Sequence, residues 1–149
     1  FCKAFPEATF AMINKKRIKP NEIHSMELVG DVTGRNVVIV DDMADTLGTM
    51  CKAAELLMNK GAKSVKCIAT HGVLSGKAFE NLENSVMDEV LVSDSISCNP
   101  VRPLPKKLKY LKIINSHLKP KIIQKYLKVS DNIRKYYLIQ KYPTLSGTN

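Results

Sequence analysis

Long apolar runs are missing from this 149-residue chain, and with them any segment of about 18 apolar residues able to cross a membrane as a helix. No signal-peptide pattern opens the chain, so a cytoplasmic setting is expected. An initiating Met is absent too; the chain starts at Phe1, which reads as a fragment or a processed start. Its four cysteines, Cys2, Cys51, Cys67 and Cys98, make no C-x-x-C pair. That argues against a zinc site or a redox motif and for reduced thiols. There is no N-x-[ST] sequon and no internal repeat. Acids are nearly absent from the last third: residues 101–149 hold 12 Lys and Arg against one acid, Asp131, whereas residues 1–100 hold 11 against 13. The net charge of +9 therefore belongs to the tail. Few aromatics accompany it (Tyr110, Tyr126, Tyr136, Tyr137 and Tyr142), and no recognition motif frames them, so nucleic-acid binding is not expected.

What is present suits a soluble globular domain. An apolar fraction of 44% and a charged fraction of 25% are ordinary for one, and the length allows a real core. Residues 8–13 read as a strand and Asn14–Asn21 as an exposed basic loop. Residues 27–32 read as a second strand, turning at Thr33 and Gly34. Asn36–Val40 is a β-branched run, as in a strand buried on both faces. Met50, Ala53, Ala54, Leu57 and Met58 have helical spacing, and Gly61 supplies the stop. A strand at 64–70, a helix near 77–84 and a strand at 89–92 complete an alternating pattern. Such alternation predicts an α/β domain built on a parallel sheet. After Ser97, three prolines (Pro100, Pro103 and Pro105) interrupt the chain; a strand at 108–114 and a helix around 119–128 are the elements expected beyond them.

The chemistry is concentrated after the buried strand. Ligands of parallel sheets sit at the carboxyl ends of the strands, where loops enter helix N-termini and the helix dipole favours phosphate. Asp41 to Thr49 occupies that place. Gly48 permits close backbone approach, and Thr46 and Thr49 add hydroxyl donors. Asp41, Asp42 and Asp45 suit hydroxyl groups better than phosphate, so the mixture fits a sugar phosphate. The competing reading is an acidic helix start whose Asp and Thr side chains act as caps; it suits any one of these residues better than all of them. Lys15, Lys16 and Arg17, taken alone, read as a solvated basic loop. Gly72–Ala78 fails as a P-loop: its glycine spacing is one residue short, and Ala78 stands where Ser or Thr would meet magnesium. His71 is read as structural.

The wording Asp41-Asp42-Met43-Ala44-Asp45-Thr46-Leu47-Gly48-Thr49 resembles the phosphoribosyl pyrophosphate (PRPP) binding motif of type I phosphoribosyltransferases and, in its details, that of PRPP synthetases (ribose-phosphate pyrophosphokinases). Asp31–Arg35 (DVTGR), Ala69–Gly76 (ATHGVLSG), Phe10–Arg17 (FAMINKKR) and Asp88–Ile96 extend the resemblance over residues 1–97. It implies a type I phosphoribosyltransferase-like domain at 1–97, incomplete at its N-terminus and lacking its N-terminal partner domain, followed by a divergent basic tail at 98–149. It implies that Asp45, Thr46, Leu47, Gly48 and Thr49 hold the 5-phosphate of ribose 5-phosphate and that Asp41 and Asp42 engage the ribose hydroxyls. Lys15 and Arg17 match the family's catalytic loop, where they would steady the group transferred from ATP. Magnesium would accompany ATP, with its main ligands outside this chain and no metal ligand assigned within it. The full-length protein would be a homo-oligomer, and the chain alone inactive. The tail lacks the family's regulatory Ser-containing segment, which points to a divergent end or a shifted reading frame and leaves allosteric regulation unassigned. Two other readings stand beside this one: a phosphoribosyltransferase that uses PRPP, and a non-catalytic synthetase-associated subunit.

Overall fold

The computed structural model describes residues 8–19, 22–97, 103–112 and 136–141, with side chains at 8–14, 26–97 and 103–112. Seven strands form one sheet: β1 (Thr9–Lys19), β2 (Glu22–Val29), β3 (Asn36–Ala44), β4 (Ser64–Gly72), β5 (Glu89–Ser93), β6 (Leu108–Leu111) and β7 (Tyr136–Lys141). Two helices, α1 (Gly48–Asn59) and α2 (Ala78–Glu83), connect β3 to β4 and β4 to β5. The spatial order is β2-β1-β7-β3-β4-β5-β6, and every neighbouring pair is parallel except β1 with β2. The α/β parallel sheet expected from the alternation is therefore present.

Both helices pack on one face of the sheet, as they must when two right-handed crossovers advance in the same direction. Val37 and Ile39 of β3, Val65, Cys67 and Ala69 of β4 and Val90 and Val92 of β5 meet Met50, Ala53, Ala54 and Leu57 of α1 and Ala78 and Leu82 of α2. These strand residues alternate, so their neighbours face the other side, where Val38 packs with Ala8, Val40 and Ile68. α1 buries four of the five positions expected of it; Met58 instead lies at the edge of the stripe and is 37% exposed. Gly61 (φ 87°) follows the C-cap Lys60, and the Ala62 N–H returns to the Leu57 carbonyl at 3.0 Å, closing the helix where the sequence placed its stop.

Other boundaries differ from expectation. The basic stretch after Asn14 is not a loop: β1 runs on to Lys19 and pairs antiparallel with β2, which itself starts earlier and ends earlier than the expected strand at 27–32. Strand pairing is made by backbone groups, so a run of basic residues at a sheet edge extends a strand without any apolar alternation. β6 falls within the strand expected at 108–114, and β7 was not anticipated. The helix expected around 119–128 lies outside the described residues. No helix among the described residues is long and apolar enough to cross a membrane.

Candidate functional site

All the parallel strands end at the same edge of the sheet, and the Asp41–Thr49 segment lies there. β3 does not stop at Val40 as expected. It stays paired with β4 as far as Ala44 opposite Gly72, so Asp41 and Asp42 are strand residues near its solvated end. Asp41 is half-buried and Asp42 exposed, and the Asp42 N–H donates to the Asp41 carboxylate at 3.0 Å.

The turn itself is Asp45-Thr46-Leu47. Leu47 is the N-cap of α1, with φ 63° in the left-handed region and its side chain buried among the core residues. A buried leucine in that conformation carries backbone strain of roughly 1–2 kcal/mol, which its apolar burial offsets. No side chain caps the helix. The first-turn N–H groups of α1 consequently lack intrahelical acceptors and a side-chain cap, the condition that makes a helix start receptive to an anion. Here the capping reading of the acids and threonines fails. The Asp45 carboxylate instead accepts a hydrogen bond from Ser75 Oγ, and the Thr46 carbonyl accepts one from Asn81 Nδ2 at 2.8 Å. The Leu74 N–H donates to the Ala44 carbonyl at 3.0 Å. A Cβ on Gly48 would lie 3.8 Å from Thr46 Oγ1 and 3.9 Å from Asn81 Nδ2, ordinary contacts, so packing within the chain does not demand glycine there.

Beside this loop, the ends of β4 and β5 are laced together. His71 Nδ1 is 2.9 Å from Ser95 Oγ, and the hydroxyls of Ser93 and Ser95 both donate to the Thr70 carbonyl, at 2.6 and 3.1 Å. A structural part for His71 agrees with this arrangement. The DVTGR segment lies at the opposite edge, before β3. Asp31 there accepts from the Thr33 hydroxyl at 2.7 Å and from the Thr33 N–H at 2.9 Å, and the Gly34 N–H donates to the Gly61 carbonyl at 2.7 Å. Thr33, through its hydroxyl and then its N–H, and more weakly Arg35, hold the Asp31 carboxyl below the ordinary carboxylate range. This motif is a turn that ties β3 to the end of α1.

Lys15 and Arg17 are on β1, opposite Met26 and Ile23 of β2, with an irregularity in register between Lys16 and Arg17. Met12 and Val40 share the partner Gln140, so the backbone at Lys15 and Arg17 continues toward the sheet edge that bears the loop. β7 separates β1 from β3, a backbone spacing of about 10 Å across two strand intervals. The loop residues 41–49 are thus gathered in one place, while residues 15 and 17 approach the same edge from two strands away. Among the described residues, no group of three or more His, Cys, Asp or Glu could hold a metal ion. Ser75 and Asn81 escaped the reading of the sequence. They are 30 and 35 residues from their partners, and only the fold brings them to the loop.

Comparison with known proteins identifies relatives of this chain. The profile of the phosphoribosyl synthetase-associated domain matches residues 6–134. Ribose-phosphate pyrophosphokinase of Vibrio parahaemolyticus serotype O3:K6 (strain RIMD 2210633) is 54% identical over 95 residues, 64% of this chain and 30% of that protein. Ribose-phosphate pyrophosphokinase 3 of Saccharomyces cerevisiae (strain ATCC 204508 / S288c) is 53% identical over 90 residues, 60% of this chain and 28% of that protein. The crystal structure of phosphoribosylpyrophosphate synthetase from Mycobacterium smegmatis matches with a TM-score of 0.61 at 35% identity, covering 80% of this chain and 37% of that one. The chain thus spans about a third of the length of the relatives it matches, and its fold is the type I phosphoribosyltransferase-like α/β fold. With the matched profile running through the β3–α1 loop and most of the sheet, the chain belongs to the phosphoribosyl synthetase-associated domain family.

Proposed function

We propose that this chain supplies the ribose 5-phosphate half of a ribose-phosphate pyrophosphokinase, an enzyme that makes PRPP for nucleotide biosynthesis. The observation that carries this reading is the uncapped start of α1, reached through the strained Leu47 turn directly after two carboxylates at the end of β3. Phosphate suits the open N–H groups around Gly48 and the hydroxyls of Thr46 and Thr49. A close ligand also accounts for glycine at position 48, which internal packing leaves unexplained. Leu47 contributes through its backbone, and Asp45 through the shape of the turn. Asp41 and Asp42 would accept hydrogen bonds from the ribose hydroxyls.

In the reaction, the C1 hydroxyl oxygen of ribose 5-phosphate attacks the β-phosphorus of ATP. The bond from that phosphorus to the α,β-bridging oxygen breaks, AMP leaves and the hydroxyl proton is lost. Lys15 and Arg17 would supply positive charge to the transferring diphosphoryl group. Magnesium would come with ATP; the described carboxylates do not form a metal site by themselves, and none is assigned as a ligand. A cytoplasmic, homo-oligomeric parent protein belongs to the same reading. So does a boundary near residue 97, which we take as a change of charge and composition, since β6 and β7 pair within the domain's own sheet.

The reading is tested by titrating the chain with ribose 5-phosphate in a calorimeter. Saturable one-to-one binding is expected, with loss of at least tenfold, roughly the value of one charge-assisted hydrogen bond, in Gly48→Val and Thr49→Val. Absence of binding by the unaltered chain would overturn it. The family description favours a second reading, a non-catalytic synthetase-associated subunit. An intact phosphate turn and the retained Lys15 and Arg17 weigh against it.

A further inference from the structure

Three consecutive residues of the phosphate turn are each held by one other segment. Leu74 donates its N–H to the Ala44 carbonyl at 3.0 Å, Ser75 its hydroxyl to the Asp45 carboxylate, and Asn81 its side-chain amide to the Thr46 carbonyl at 2.8 Å. These donors all come from the stretch that runs from the end of β4 into α2, which includes the end of the ATHGVLSG motif. The stretch has its own fixed shape. Leu74 (φ 52°) and Gly76 (φ 54°) are left-handed, and Gly72 lies so close to Val92 that a Cβ there would come within 2.9 Å of Val92 Cγ2. Next in the chain after Thr46 is Leu47, itself left-handed at φ 63°, and then the open helix start.

We infer that Ser75 and Asn81 are positioning residues for phosphate binding: they brace the Asp45–Leu47 turn so that the α1 N–H groups stay aimed at the ligand. This inference rests on the ribose 5-phosphate reading above. The physical reason is the strain in the turn. A left-handed leucine persists only when its surroundings over-determine it, and the two side-chain bonds fix the residues on its N-terminal side. The Ser75 bond also gives Asp45 a partner, so a carboxylate beside an anion site serves the turn's shape and not the anion. Asn81 is suited to its place because its amide offers donors to a carbonyl from a helix whose own N–H at that position is already bonded to Lys77 at 2.8 Å.

The test uses the whole chain and ribose 5-phosphate as the probe, with thermal melting of every variant as the control for folding. Ser75→Ala and the near-isosteric Asn81→Asp, which replaces the donor by an acceptor, are each expected to weaken binding about tenfold while the melting temperature changes little. Ser75→Thr, which keeps the hydroxyl, is expected to retain affinity. Combining Ser75→Ala with Asp45→Ala should weaken binding no further than either change alone, because both remove one interaction. Additive losses, or affinity in Ser75→Ala and Asn81→Asp equal to that of the unaltered chain at unchanged melting temperature, would overturn the inference while leaving the site itself standing. Failure of the unaltered chain to bind would overturn the site and the inference together. If Ser75→Ala proves unfolded, Asn81→Asp and Ser75→Thr decide the matter on the same readout.

Discussion

Leu47 shows how a single residue can carry conflicting demands. Its side chain belongs to the core, 3% exposed, yet its backbone takes a conformation that favours glycine. Burial supplies the compensation: a leucine side chain removed from water contributes roughly 1.5–3 kcal/mol, against the roughly 1–2 kcal/mol of the left-handed backbone. Asp31 works on a plainer principle. Two hydrogen bonds from Thr33 favour its charged form, so its carboxyl titrates below the ordinary range in the folded chain. The sign follows from linkage. A lowered native value means the contribution is fully present above the unfolded Asp value and disappears as pH falls through the native one. Asp31→Ala is therefore expected to flatten the acid limb of a stability-against-pH curve and to leave its shape near neutrality unchanged. Urea unfolding at a series of pH values reads this directly.

Among the elements, β4 and β5 leave no room for a side chain at Gly72. A methyl group there would meet Val92 Cγ2 at 2.9 Å and Val92 Cβ at 3.0 Å, closer than side chains pack. Gly72→Ala is expected to destabilise the chain by about 1–3 kcal/mol, as overpacking does, and Val92→Ala in the same chain should restore part of the loss. Urea unfolding of the single and double variants measures both. Because Gly72 pairs with Ala44 at the last step of the β3–β4 ladder, the damage should reach the Asp45–Leu47 turn as well as the core. The β1–β2 hairpin illustrates the opposite regime. Its outer part is held by backbone pairing across basic residues, and its inner part by Ala11 and Ile13, which are buried, with Met26 and Leu28 packed against the same core.

For the molecule as a whole, the parallel strands bring the Asp41–Thr49 segment, Ser75 and Asn81 to one edge of the sheet, where we propose the ribose 5-phosphate site. The chain spans about 30% of the length of the pyrophosphokinase from Vibrio parahaemolyticus, and the described residues contain no metal-holding group. Binding of ribose 5-phosphate without turnover is the expected behaviour of the isolated chain. An assay of AMP release with ATP, magnesium and ribose 5-phosphate checks it, and measurable turnover would show that the chain holds a complete catalytic site. Charge divides the molecule differently from the fold. The basic tail begins near residue 101, yet β6 and β7, which lie within it, occupy positions on both sides of β3 in the common sheet.

Local patterns in the sequence determined the central strands, the two helices and the turn. β-branched runs need burial, Gly61 ends α1, and the crowding of acids, hydroxyls and glycine after β3 is what points to the site we propose there. What the tertiary structure decided were matters of pairing between distant parts. The continuation of β1 through its basic residues, the insertion of β7 between β1 and β3, and the end of β3 at Ala44 depend on backbone hydrogen bonds that no side-chain pattern records. The same holds for Ser75 and Asn81. Each is an ordinary polar residue until the β3–α1 and β4–α2 loops meet at one edge of a parallel sheet, and only there does its hydrogen bond acquire a turn to hold.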